Sequence, residues 1–127
     1  MSIKFNIVKR GNPARPDIPK KYYPSIQSSG RVTLRELAEE ASSLSSLSTT
    51  DIMAAVEIFL TIIPRELANG RIVELGDFGN FWLRSTAEGV EQPEQVRGYQ
   101  ITSLIPRFNA GKQFKSVLNS AEFKKMD

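Results

Sequence analysis

Neither cysteine nor histidine occurs anywhere in this chain. Their absence excludes disulfides, thiolate nucleophiles, Cys/His zinc sites and imidazole acid–base chemistry. DxD clusters, GxGxxG, Walker A and GxSxG motifs are missing as well, which removes the usual phosphate-transfer, dinucleotide and hydrolase readings. The expectation is therefore a protein that is not an enzyme and uses no cofactor, metal or small-molecule substrate. Long apolar runs are also lacking. The longest, Ile58-Phe59-Leu60-Thr61-Ile62-Ile63, falls far short of the roughly 18 residues of a membrane span. Met1-Ser2-Ile3-Lys4-Phe5 carries no apolar signal-peptide segment. A cytoplasmic protein with no membrane partner is expected.

What is present is an ordinary globular composition with an uneven charge distribution. With 127 residues, the chain can form one domain with a modest core. The net charge of +3 is too small to identify an anionic partner by itself. Residues 1–30 hold six basic residues against one acid (+5), residues 31–82 four against eight (−4), and residues 83–127 seven against five (+2). Cationic ends around an acidic middle point to an anionic partner.

Taken in order, Ile3, Phe5 and Ile7 alternate with Ser2, Lys4, Asn6 and Val8, the period of a half-buried strand. Gly11-Asn12-Pro13 ends it, and Lys21-Tyr22-Tyr23-Pro24-Ser25-Ile26 reads as a short edge strand, where proline is tolerated. Thr33-Leu34-Arg35-Glu36 fits a capping box, followed by the stripe Leu34, Leu37, Ala38 and Ala41. Ser42–Ser48 reads as the helix end and a connection, with Leu44 and Leu47 packing inward. Ser48-Thr49-Thr50-Asp51 opens a second helix whose apolar positions are Ile52, Ala55, Val56, Phe59, Leu60 and Ile63. Pro64 either kinks it near Leu60–Pro64 or ends it at Ile63. Asn69-Gly70 is a left-handed terminator.

Arg71–Leu75 and Asn80–Arg84 read as strands joined by Gly76-Asp77-Phe78-Gly79, either a bent, bulged hairpin or a plain tight turn. Thr86–Arg97 is polar and turn-rich, Tyr99–Pro106 returns as a strand, and the final helix presents Phe114, Val117, Leu118 and Phe123 inward. The resulting class is α+β: two adjacent helices beside an antiparallel sheet, a C-terminal helix and extra N-terminal strands.

From Thr33 onward the ordered segments Thr33-Leu34-Arg35-Glu36-Leu37-Ala38, Leu67-Ala68-Asn69-Gly70, Arg71–Phe81 and Phe108-Asn109-Ala110-Gly111-Lys112-Gln113-Phe114-Lys115 resemble the HU/IHF family of bacterial histone-like DNA-binding proteins. The likeness spans about residues 31–120. Residues 1–30 look like the N-terminal β extension of a longer variant, ahead of an HU-like domain over 31–127 with an arm at about 85–98.

The resemblance implies an intertwined homodimer with Phe59, Phe78, Phe81 and Phe108 in its core, the alternative being a core within one chain. It implies a nucleoid-associated, largely sequence-nonspecific protein that binds double-stranded DNA through phosphates and the minor groove. Arg84, Arg97 and Arg107 would belong to the arm base or saddle, Lys112 and Lys115 to the last helix, and Pro93 would be the wedge at the arm tip. One departure is notable. Family tips read Arg-Asn-Pro followed by Thr-Gly, whereas this one reads Glu91-Gln92-Pro93-Glu94-Gln95. Pro93 is then either a wedge or a turn proline, and an HU-fold interaction or assembly module without arm-mediated DNA binding is the second functional reading.

Overall fold

A computed structural model describes residues 1–127. It forms two compact units, Leu34–Ser116 and Met1–Thr33 together with Val117–Asp127.

The larger unit opens with α1 (Leu34–Ser43) and α2 (Thr49–Ala68). The α2 start is fixed by Ser48, whose Oγ accepts from the Asp51 amide at 3.1 Å, satisfying one free donor of the first turn. The helix runs on through Pro64 to Ala68, so the alternative stop at Ile63 falls away. It ends as the sequence predicts, with Gly70 at φ 83 and its amide on Leu67 O at 2.9 Å. Ala38 and Leu67 are the buried residues with apolar side chains. Leu44 and Leu47 do not pack inward: Leu44 is 82% exposed in the turn after α1.

The expected strand over Arg71–Leu75 shrinks to β3 (Val73–Glu74). Leu75 is drawn into the bend instead: its amide donates to Gly79 O at 2.9 Å, and Phe78 N donates to Leu75 O. The bend is a 3₁₀ turn over Gly76–Phe78, with both glycines at positive φ (60° at Gly76 and 148° at Gly79), conformations that L-residues with a Cβ rarely adopt. Next come β4 (Gly79–Ala87) and β5 (Ile101–Ala110), antiparallel in the sheet order β3-β4-β5. β5 starts later than the Tyr99 expected for it and takes in Phe108–Ala110. α3 (Lys112–Asn119) follows.

Phe78, Phe81, Phe108 and Phe114 form one aromatic cluster with ring centroids 5.0 to 5.5 Å apart. These are the separations at which tilted and edge-on pairs attract. The second phenylalanine expected on the last helix, Phe123, lies elsewhere. α3 ends at Asn119, Val117 and Leu118 are exposed, and Phe123 sits in a strand, β6 (Glu122–Lys125).

β6 belongs to the smaller unit, with β1 (Ser2–Arg10) and β2 (Lys21–Gln27). The order is β2-β1-β6, β1 being antiparallel to β2 and parallel to β6. Pro24 thus lies on an edge strand, where its missing donor is harmless. Ile3 and Phe5 are half-buried, but Ile7, expected on the same covered face, is 52% exposed. The physical reason is in the pairing: β6 runs beside Ser2–Phe5 only, so Ile7 has no neighbour on that side.

The chain exposes 10886 Å². A monomeric globular protein of this mass exposes about 6,800 Å², and two separate bodies of these sizes about 8,000 Å². Ile58, Phe59, Leu60 and Ile62 on α2 contribute to the excess. No helix is long and apolar enough to cross a membrane.

Candidate nucleic-acid interface

The β4–β5 register sorts the sheet's side chains. Phe81 pairs with Phe108 and Leu83 with Pro106, whereas Trp82 pairs with Arg107 and Arg84 with Ile105. Because directly paired residues share a face and alternate along each strand, Arg84, Trp82 and Arg107 lie together on the side opposite the phenylalanines. Arg84 and Arg107 are diagonal neighbours, for which Cα separations of roughly 7–8 Å are usual. Both are exposed and neither makes a salt bridge; the ion pairs of the chain are Arg35–Glu39 and Arg71–Glu66. The sequence-predicted pair is thus brought together. Trp82 was not among the predicted residues. Its Nε1 is a buried donor without a hydrogen-bond partner, unusual for an indole, and the strand alternation through Arg84 was the signal that could have found it.

Lys112 and Lys115 occupy i and i+3 of α3, one helical face. Phe114 turns toward the aromatic cluster, meeting Phe78 at 5.1 Å and Phe108 at 5.5 Å. This leaves both lysines exposed and free of salt bridges. The helix start is tied to the Gly76–Phe78 bend by the Gly111 amide, which donates to Phe78 O at 2.8 Å. Arg84, Arg107, Lys112 and Lys115 are thus four exposed cations without an ion-pair partner in this unit.

The segment expected as the arm, about 85–98, closes on itself. Strand pairing persists to Ala87 and Ile101, and two 3₁₀ turns, Pro93–Gln95 and Gly98–Gln100, fill the tip. Buried Gln100 fastens it: its Nε2 donates to Glu88 O at 3.0 Å, and its Oε1 accepts from the Arg97 amide. Arg97 is not with the other cations. Its guanidinium donates to Glu94 O and Val96 O, both at 2.8 Å, so it holds the tip rather than facing outward unbound. Pro93 is the first residue of its turn, where the missing amide costs nothing. It remains exposed beside Glu91 and Glu94.

Of the four phenylalanines expected in a shared core, three are in the cluster, and Phe59 stands apart on α2, 58% exposed.

Comparison with known proteins gives a consistent family. A family model described as "HU domain fused to wHTH, Ig, or Glycine-rich motif" matches residues 1–125, the extension included. Integration host factor subunit alpha of Yersinia pestis is 33% identical over 92 residues, covering 71% of this chain and 94% of that protein. The same subunit of Yersinia pseudotuberculosis matches equally. Among solved structures, HU of Anabaena in a cocrystal with DNA superposes with a TM-score of 0.56 at 22% identity, over 70% of this chain and 99% of that one. A candidate bacterial DNA-binding protein of Bacteroides vulgatus reaches 0.67 at 11% identity over 98% of this chain. This chain spans about half of that protein, 48% of its length. At these identities the structural likenesses establish the fold alone.

Proposed function

This chain belongs to the HU-HIG family, a branch of the HU/IHF-like proteins, and on that premise we propose that it is an architectural, largely sequence-nonspecific DNA-binding protein of the nucleoid that works as a homodimer. The observation that carries the reading is the co-facial pair Arg84 and Arg107 on a sheet whose other face is aromatic. The phenylalanine side serves packing, and on the other side, which also carries Trp82 and Ile105, the two guanidinium groups are what meets phosphate. Lys112 and Lys115 supply further phosphate contacts, in line with the DNA seen in the Anabaena HU cocrystal. In the dimer, Phe59 joins Phe78, Phe81 and Phe108 in the shared core, and the arms of the two protomers reach the minor groove.

Titration of duplex DNA at several salt concentrations tests this. Affinity is expected to fall steeply with salt, and Lys112→Glu with Lys115→Glu is expected to weaken binding to all sequences alike. The slope of log affinity against log salt should drop by about 0.9 for each phosphate that is no longer neutralised. Unchanged affinity and slope in the double variant would remove α3 from the interface.

Pro93→Ala is expected to reduce DNA bending, read as end-to-end distance by energy transfer, while stability changes by less than about 1 kcal/mol because the ring sits at an exposed turn start. An unchanged end-to-end distance would leave Pro93 as a turn residue only.

A second reading, an HU-fold assembly module without DNA, is favoured by one observation. The unit Leu34–Ser116 carries eight Lys/Arg against eleven Asp/Glu, a net −3. Absence of duplex binding even at low salt would select it.

A further inference from the structure

The charge missing from the larger unit is concentrated in the smaller one. Met1–Thr33 with Val117–Asp127 holds nine Lys/Arg against three Asp/Glu, a net +6. Strand register then decides where it points. Lys4 pairs with Gln27, Asn6 with Ser25 and Arg10 with Lys21, while on the other side of β1 Lys4 pairs with Lys124. By alternation Lys4, Arg10, Lys21 and Lys124 share one face of the three-stranded sheet, with Asn6 and Gln27 hydrogen-bonded between them at 3.0 Å. The single acid in register with this face is Glu122, opposite Ser2 at the strand end. Val8 and Tyr23 lie on this face too, and Ile3, Phe5, Ile7, Ile26 and Phe123 fall on the opposite face with Lys9 and Lys125.

From this arrangement we infer that the cationic face of the β2-β1-β6 sheet is a second DNA-binding surface, engaging the phosphate backbone of duplex DNA; the inference rests on the DNA-binding reading above. Two features of the face carry it. First, Arg10 lies directly across from Lys21 and Lys4 directly across from Lys124. Like charges in direct cross-strand pairs destabilise a sheet. All four cations are exposed and none has a salt-bridge partner, so the fold keeps a repulsion that an external polyanion relieves. Second, the two pairs lie six residues apart along β1, about 20 Å at 3.3–3.4 Å per residue. That distance covers about six phosphates of one DNA strand at 3.4 Å each, which a single small anion cannot do. An anionic membrane is the poorer partner for this face, because interfacial binding needs a broad apolar surface beside the cations, and here that surface is Val8 and Tyr23 alone.

The test compares two full-length variants of equal charge change. One is Lys4→Gln, Arg10→Gln, Lys21→Gln and Lys124→Gln; the other is Lys9→Gln, Arg15→Gln, Lys20→Gln and Lys125→Gln, off the face but in the same unit. Anisotropy titration of a labelled duplex is run at several salt concentrations. The face variant should lose about 3 to 4 from the log–log salt slope, at about 0.9 per phosphate, and at least tenfold in affinity near 100 mM salt; the off-face variant should change affinity less than threefold. Thermal melting of the face variant should occur at or above that of the parent, since repulsive pairs have been removed, so weaker binding cannot be laid to misfolding. Parent-like binding by the face variant, or equal losses in both variants, overturns the inference while leaving the proposed function standing. A parent that binds phosphatidylserine vesicles more tightly than duplex at the same salt overturns it in favour of a membrane. Failure of the parent to bind any duplex at low salt overturns the proposed function itself.

Discussion

Replacing Gly111 by alanine is expected to lower the melting temperature by at least 10 °C. A Cβ at this position would lie 2.2 Å from Asp77 O, 2.6 Å from Asp77 C and 2.9 Å from Gly79 N. All three are backbone atoms, so no flexible side chain can swing aside. The chain must instead move at the one point where the Gly76–Phe78 bend, the end of β5 and the start of α3 meet, lengthening the Gly111 N to Phe78 O hydrogen bond of 2.8 Å. Such a shift also separates Phe114 from Phe78 and Phe108, so the loss combines backbone strain with broken packing. About 3 kcal/mol or more is expected, within the upper range for single substitutions and a large fraction of a total stability of about 5–15 kcal/mol. At roughly 4 °C per kcal/mol for a domain of this size, that gives the stated shift. Gly98→Ala serves as the control: nothing lies within 4 Å of its added Cβ, and a change of less than about 1 kcal/mol is expected. If Gly111→Ala melts within 3 °C of the parent, the close approach does not hold the fold.

The same close approach shows which parts of the fold could be read from the sequence. Positions decided by local chemistry were legible: the Ser48 cap, the Asn69-Gly70 terminator, the positive-φ glycines 76 and 79, and proline on an edge strand. Each follows from what one residue permits its own backbone to do. Positions decided by distant pairing were not. Phe114, Val117 and Leu118 keep a helical spacing that runs on toward Phe123, yet β6 is formed by parallel pairing with β1, more than a hundred residues away in sequence. Four residues with one apolar side chain carry no period that would announce this. The candidate interface divides in the same way. Arg84 and Arg107 were nameable as cations near the sheet, but only the register puts them on one face. That Arg97 is held by two carbonyls, and that Lys4, Arg10, Lys21 and Lys124 align, are likewise facts of pairing and not of composition.

Phe59→Asp is expected to abolish self-association, and its ground is surface area. The parent should sediment at twice its 14.2 kDa, because an excess of nearly 3,000 Å² per chain over two separate bodies, about 6,000 Å² for two chains, is of the size that obligate interfaces bury, about 2,000–5,000 Å² or more. Phe59 is 58% exposed amid Ile58, Leu60 and Ile62 on α2, an apolar patch that its own chain leaves largely open. Burying a phenylalanine contributes about 1.5–3 kcal/mol, and two-fold symmetry counts each substitution twice. Losing both rings costs about 3–6 kcal/mol before the penalty of burying two carboxylates, and each 1.4 kcal/mol is about tenfold in the dissociation constant. A weakening of at least a thousandfold is expected, read by sedimentation equilibrium across micromolar concentrations. Tyr99→Ser removes an aromatic that is also exposed, at the arm tip, and should leave the dimer intact. A parent that stays monomeric at these concentrations would refute the shared core. It would also undercut the DNA reading, because a single copy offers one arm and one Arg84–Arg107 face where bending a duplex between two anchored ends requires two.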